Sequence, residues 1–245
     1  MIGSALLWIW VWTLGTVLSL LSIVLYLPFN PLTDPRRVVH HWLSQSWGRG
    51  VMWMLPGITI EAQGFEHLLK GPCILCPNHN SVSDIIMLLA ALPRFKFVAK
   101  TTNFLSPPIG WHLFLSGYIR AGAGAEGDSE RVQQQCVKWL KAGERVLWFA
   151  EGTRSVDGKV QRFRKGAFAI AKHAGVPIVP VALTGTRQVI AKKSLRYHFH
   201  VRVQITCLEP MAVEGELKEA AAKCRELVAA QVARQEATAQ PPPTW

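Results

Sequence analysis

Between Ile2 and Asn30 the chain carries no charged side chain. This stretch, rich in Leu, Trp, Ile and Val, exceeds the roughly 20 residues that cross a bilayer core, so as a helix it calls for lipid around it. A cleavable secretory signal is the competing explanation. No basic residue follows Met1, the apolar run is too long, and no small-x-small pair stands near its end. A membrane anchor is therefore expected, either crossing the bilayer or bending within one leaflet. Pro28 and Pro31 end it and Arg36 and Arg37 follow, which by the positive-inside rule places everything after Pro35 in the cytoplasm.

From Pro35 to Leu55 the pattern predicts an amphipathic helix, with Val38, Val39, Trp42 and Val51 mingling with Arg36, Arg37, His40, His41 and Arg49. Such a helix can pack on a neighbouring domain, or lie in the headgroup layer with its basic side toward lipid phosphates. His40 and His41 are adjacent and point to different sides of a helix, which argues against a metal pair. The net charge of +11 and the ten tryptophans favour an anionic membrane as partner. Nucleic acid is not expected, because the charge is spread out and no aromatic–basic module motif occurs.

After Gly57 the pattern changes to alternating strands and helices. Ile58–Ala62, Cys73–Cys76, Phe95–Ala99, Val146–Phe149 and Val176–Leu183 read as strands, and Tyr197–Thr206 alternates as an edge strand should. Asp84–Leu92, Gly110–Leu115, Ser129–Ala142 (Ser129 as N-cap), Lys165–His173 and Ala212–Ala239 read as helices. Gly117–Arg120 leads into a Gly/Ala loop ending at Gly127. The expected fold is α/β: a mixed, largely parallel sheet flanked by helices, preceded by the membrane-associated segment. The expected boundaries are 1–56 for the anchor and amphipathic helix, 57–239 for the main domain and 240–245 for a disordered tail.

The strand Cys73–Cys76 runs into Asn78-His79-Asn80-Ser81-Val82-Ser83-Asp84 at the start of a helix. If Asp84 accepts a hydrogen bond from one ring nitrogen of His79, the other is left to take a proton. This is a general base with an orienting partner, and the nucleophile must then come from the substrate. A serine hydrolase using Ser81 or Ser83 is the rival enzyme class, but no G-x-S-x-G elbow is present. Cys73 and Cys76 form a C-x-x-C without a second pair, so they read as small buried residues; no metal is expected. The odd number of cysteines, five, points to a reducing compartment.

A second constellation follows the strand ending at Phe149. In Glu151-Gly152-Thr153-Arg154 the glycine lets backbone approach a ligand, Thr153 offers a hydroxyl, and Arg154 supplies a planar fork for phosphate. Arg162, Arg164 and Lys165 then stand at the start of a helix, an end that favours anions in its own right. Together they describe a phosphomonoester site.

In order, H-x4-D, E-G-T-R after a strand, a basic F-x-K-G-A-F and V-P-I-V-P-V-A-L make the chain resemble the glycerolipid acyltransferases, 1-acyl-glycerol-3-phosphate acyltransferases above all. The matching residues are His79 and Asp84, Glu151 to Arg154, Phe163 to Phe168 and Val176 to Leu183. The resemblance implies transfer of a fatty acyl group from acyl-CoA or acyl-carrier protein to the sn-2 hydroxyl of a lysophosphatidate, giving phosphatidate. It implies His79 and Asp84 as the catalytic pair and no cofactor beyond the thioester co-substrate. Glu151, Gly152, Thr153, Arg154 and Lys165, with Lys100 and Arg120, would bind substrate. Bacterial members imply the cell inner membrane, with the domain on the cytoplasmic side. Two departures stand out: Ala150 replaces the family's proline, and Ala123 replaces an arginine of its second block, for which Arg120 is the substitute. That loss keeps another lysolipid acceptor, such as lyso-ornithine lipid, as an alternative.

Overall fold

Ile74-Leu75-Cys76-Pro77 is buried at every position, as a strand covered on both faces requires, and the sheet grows outward from it. The computed structural model describes residues 2–122, 128–191 and 194–238. The 240–245 tail and most of the Gly/Ala loop, Ala123 included, lie outside the described residues.

In chain order, α1 (Ile2–Tyr26) and α2 (Val38–Trp53) precede β1 (Thr59–Gln63), α3 (Glu66–Leu69) and β2 (Ile74–Pro77). Next come α4 (Ser83–Ala91), β3 (Lys96–Lys100), α5 (Thr101–Phe104), α6 (Ile109–Leu115) and β4 (Ile119–Ala121). The chain continues through α7 (Asp128–Lys141), β5 (Val146–Leu147), α8 (Gly166–Ala174) and β6 (Ile178–Thr184). It closes with α9 (Thr186–Val189), β7 (Arg202–Cys207) and α10 (Leu217–Thr238). The sheet order is β1-β7-β6-β2-β5-β3-β4, and among the described strands only the β6–β7 pair is antiparallel. The mixed, largely parallel α/β architecture is thus the observed one.

Successive residues of β2 face opposite layers. Cys73 and Leu75 join the apolar layer under α2 and α4, while Ile74 and Cys76 join the layer under α7, α8 and α10. Cys73 and Cys76 therefore lie on opposite faces of the sheet, which rules out their acting together on one metal or as one disulfide. All five cysteines are free and buried.

Three expectations need correction. The Tyr197–Thr206 run is not an edge strand: β7 lies between β1 and β6, and β1 and β4 are the edges. Its alternation arises because Val203, Ile205 and Cys207 pack into the core, while outward Arg202 and Gln204 pair with Glu61 of β1. Alternation reports one covered face, and interior strands can have that too. Residues 119–121, read as leading into a loop, form the short edge strand β4. The helix read as capped by Ser129 already begins at Asp128.

α1 lies along the domain. Leu7 and Val11 are buried, the Trp8 indole N–H donates to the Leu195 carbonyl at 2.8 Å, and the Ser4 hydroxyl accepts the Tyr197 N–H at 3.1 Å. Its outer face exposes Leu6, Ile9, Trp12, Val17, Leu20 and Val24. By length and composition it is the one described helix able to cross a membrane.

α2 packs between α1 and α4, burying His40 and His41. The inner side of α2 meets a polar seam. His112 Nδ1 shares a hydrogen bond with the Ser22 hydroxyl of α1, and its Nε2 shares one with the Ser44 hydroxyl of α2 at 2.7 Å. The Tyr118 hydroxyl donates to Ser44 at 2.6 Å and lies 3.0 Å from His41 Nδ1.

Candidate active site

The turn from β2 into α4 is fixed before any ligand arrives. The Asn78 amide stands in for a further ladder rung, donating to the Leu183 carbonyl at 2.9 Å and accepting the Leu183 N–H at 2.8 Å. Beyond it His79 and Asp84 meet: His79 Nδ1 lies 2.7 Å from Asp84 Oδ2. The same carboxylate oxygen accepts the N–H groups of Asn80 at 2.7 Å and Ser81 at 2.9 Å. Asp84 is fully buried, and the His79 side chain is 21% exposed. With Nδ1–H held by the carboxylate, Nε2 carries the lone pair.

Ser81 and Ser83 are fully buried and engaged in holding the turn. The Ser81 hydroxyl donates to the Ile190 carbonyl at 2.6 Å, and that of Ser83 to the Thr186 carbonyl at 3.1 Å. Neither is placed as a nucleophile.

The segment after β5 grips His79 by its backbone. The Glu151 carboxylate accepts the His79 N–H at 3.1 Å, and the Ser155 N–H donates to the His79 carbonyl at 2.7 Å. These long-range contacts tie the second motif to the first. Glu151 is buried away from water, which pushes its carboxyl up to about 7; the His79 N–H pulls the other way. The Phe149 ring stacks on the imidazole, with centroids 3.9 Å apart and planes 23° from parallel. Sequence reasoning passes over Phe149 as a strand residue, although its place just before E-G-T-R is a usable signal.

The third motif closes the frame, as the Arg164 N–H donates to the Ala150 carbonyl at 2.8 Å. Ala150 is buried and acts here through its carbonyl, which a proline would also provide. Gly152 has φ +76°, and a Cβ there would lie 3.0 Å from the Arg164 guanidinium carbon. A side chain at 152 would thus be strained and would push that guanidinium away.

All the remaining expected site residues but Arg120 lie at one edge of the sheet. Thr153 is exposed and Arg154 half-buried in the turn after β5; exposed Lys165 stands at the start of α8; exposed Lys100 ends β3. His79 sits just past the end of β2, at the same carboxyl edge of the parallel strands where open α/β sheets hold ligands. Arg120 is set apart. Its strand β4 is three places from β2, roughly 14 Å at ~4.8 Å per strand, and it lines a different cavity with Arg37, Arg131 and Lys138.

An acyltransferase family model matches residues 59–184. The chloroplastic 1-acyl-sn-glycerol-3-phosphate acyltransferase BAT2 of Brassica napus is 36% identical over 183 residues, covering 73% of this chain and 53% of that protein. The 1-acyl-sn-glycerol-3-phosphate acyltransferase alpha of Mus musculus is 30% identical over 164 residues, covering 66% and 58%. The chain thus spans little more than half the length of these curated relatives. The crystal structure of the 1-acyl-sn-glycerophosphate (LPA) acyltransferase PlsC from Thermotoga maritima shares the fold, with a TM-score of 0.80 at 24% identity, covering 98% of this chain and 99% of that one.

Proposed function

Because the chain belongs to the acyltransferase family, we propose that it transfers a fatty acyl group from a thioester, acyl-CoA or acyl-carrier protein, to the sn-2 hydroxyl of 1-acyl-glycerol-3-phosphate. The observation that carries this reading is the 2.7 Å contact between His79 Nδ1 and buried Asp84, on a partly open ring. The acceptor hydroxyl gives its proton to His79 Nε2 as its oxygen bonds to the thioester carbonyl carbon. The C–S bond then breaks, and the departing thiolate takes the proton back from Nε2. Asp84 fixes the tautomer and stabilises the imidazolium. The engaged hydroxyls of Ser81 and Ser83 favour direct transfer without an acyl-enzyme.

Arg154 and Lys165 are the proposed anchors of the acceptor phosphate, and Lys100, at the carboxyl end of β3 two strands from β2, is a further basic residue at that sheet edge. Glu151 is a positioning residue, because it holds the His79 backbone and touches no reacting atom in this scheme.

For the membrane, the packing of α1 favours insertion into one leaflet. A spanning α1 would draw its hydrogen-bonded partners, Leu195, Tyr197 and His112, into hydrocarbon. Its exposed apolar face can instead rest in the leaflet while the domain stays in the aqueous phase. The domain is placed on the cytoplasmic face of the inner membrane, whose anionic headgroups suit the net charge of +11.

The test is a transfer assay on membranes carrying either the unaltered protein or His79→Ala, with labelled acyl-CoA and acyl-carrier protein offered alongside lysophosphatidate. Phosphatidate formed by the unaltered protein alone supports the full reading. A His79-dependent product from another lysolipid, lyso-ornithine lipid included, keeps the chemistry and replaces the acceptor. No His79-dependent product from any lipid overturns it.

A further inference from the structure

A cavity of about 920 Å³ runs along the outer side of the edge strand β4. Its walls are apolar: Ile23 and Tyr26 at the end of α1, Trp111, Phe114 and Leu115 on α6, and Trp139 on α7. Four cations open onto the same space, namely Arg37, Arg120, Arg131 and Lys138. Among the described residues, no carboxylate lines it.

Arg37 carries the strongest sign of a missing partner. It has φ +54°, in the left-handed region that a side-chain-bearing residue adopts at a cost. Its guanidinium sits over the Tyr26 ring, 5.4 Å from the centroid, and its Nη1 is buried without a hydrogen-bond acceptor. Buried donors of this kind are uncommon and ask for an explanation. Arg36, next to it, is already satisfied by Glu144.

A ligand that suits this groove is anionic at one end and apolar along its length. Trp111 and Phe114, 49% and 74% exposed, line the groove on α6, which packs on α1, and exposed Ile23 of α1 lines it too. That continuity selects a ligand arriving from the bilayer. We propose that the groove along β4 holds one intact anionic phospholipid, its phosphate against Arg37 and Lys138 and its chains along α6 and Trp139. The bound lipid is a fixed component that seats the protein on acidic membranes, and it is distinct from the acceptor that reacts at His79. The assignment does not depend on acyl transfer.

The test uses the full chain in nanodiscs containing a trace of phosphatidate whose two ether-linked chains carry a diazirine. This lipid has no glycerol hydroxyl and cannot be acylated. After irradiation, labelled peptides are identified by mass spectrometry. The expected labels fall on Trp111–Leu115 and on Lys138–Trp139, at least fivefold above those from a phosphatidylcholine with the same chains. Arg37→Gln with Lys138→Gln should lower them at least fivefold at unchanged circular dichroism, and Arg37→Lys should restore part of the signal. Labelling should persist in His79→Ala, so a failed transfer assay and a failed groove remain distinguishable.

Equal labelling by phosphatidylcholine would overturn the proposal, as would labels confined to the outer face of α1. Displacement by coenzyme A would give the groove to the donor, and displacement by lysophosphatidate would give it to the acceptor. Either result would overturn it too.

Discussion

The Glu151 carboxylate accepts the backbone N–H of His79 at 3.1 Å, so the second motif sets the position of the first. Burial holds this carboxyl at about 7, above the ordinary value of 4.5. The folded state therefore binds its proton more tightly than the unfolded chain, and stability is lost as pH rises from about 4.5 to about 7. Gln keeps the acceptor oxygen and removes the titration. Relative to the unaltered protein, Glu151→Gln should gain stability between about pH 5 and pH 7, on the order of 2 kcal/mol. Denaturant melts at both pH values read the difference, and a constant offset would show that Glu151 does not titrate in this window.

His79→Ala should lower the transfer rate by about 10²–10⁴-fold, the usual worth of a positioned base. Its melting temperature should move little, since the side chain is partly exposed and its hydrogen bond is to Asp84. Asp84→Ala should cost both rate and stability, because it orphans two backbone N–H groups as well as the ring. Equal melting temperatures for the two variants would contradict the buried role of Asp84.

Phe149→Leu keeps apolar volume while removing the flat surface under the imidazole. The expected result is a fall in kcat of about tenfold with KM for both substrates nearly unchanged, since a ring left to tilt misaligns Nε2. Steady-state kinetics decide it, and an unchanged kcat would mean the stack is only packing.

Arg154→Gln should raise the acceptor KM by about tenfold or more and leave the KM for the thioester nearly as it was, the loss of one charge-assisted phosphate contact. If the acceptor KM stays put, Arg154 is not the phosphate anchor.

The seam between α1, α2 and α6 should be sensitive to acid. Burial pushes His112 down to about 4 and holds His40 and His41 below the ordinary 6.5. The unfolded chain then binds more protons than the folded one, so stability falls as pH drops from about 6.5 toward 4. His112→Asn should flatten part of that loss in melts between about pH 7 and pH 4.5. An equally steep loss in the variant would place the acid sensitivity elsewhere.

His79 and Asp84 were legible in the sequence because their bond is local, made within one turn of chain. The fold class was legible too, since apolar runs alternating with helical periodicity leave few other architectures. The grip of Glu151 and Ser155 on His79 is set by the pairing of β2 with β5, and neither hydrophobic period nor turn chemistry reports such pairing. Lys96 defeats pattern reading for a related reason. Between Phe95 and Phe97 it alternates as an outward residue would, yet the sheet is covered on both faces. It is fully buried, donating to the Ser116 carbonyl at 2.8 Å and lying over the Trp139 ring. The position of β7 was missed because alternation shows how a strand is covered and says nothing of its neighbours.

The contacts of α1 with the stretch around residue 195 set an order of events during synthesis. Ser4 and Trp8 must wait for Tyr197 and Leu195, which a ribosome adding about 5–20 residues per second reaches roughly 10–40 s later. Until then the N-terminal end of an uncharged helix lacks these partners, although α2 and α6 reach the rest of it sooner. The nascent chain therefore meets its membrane, or a chaperone, before its domain is complete, and the stretch around residue 195 docks onto a helix that α2 and α6 already hold.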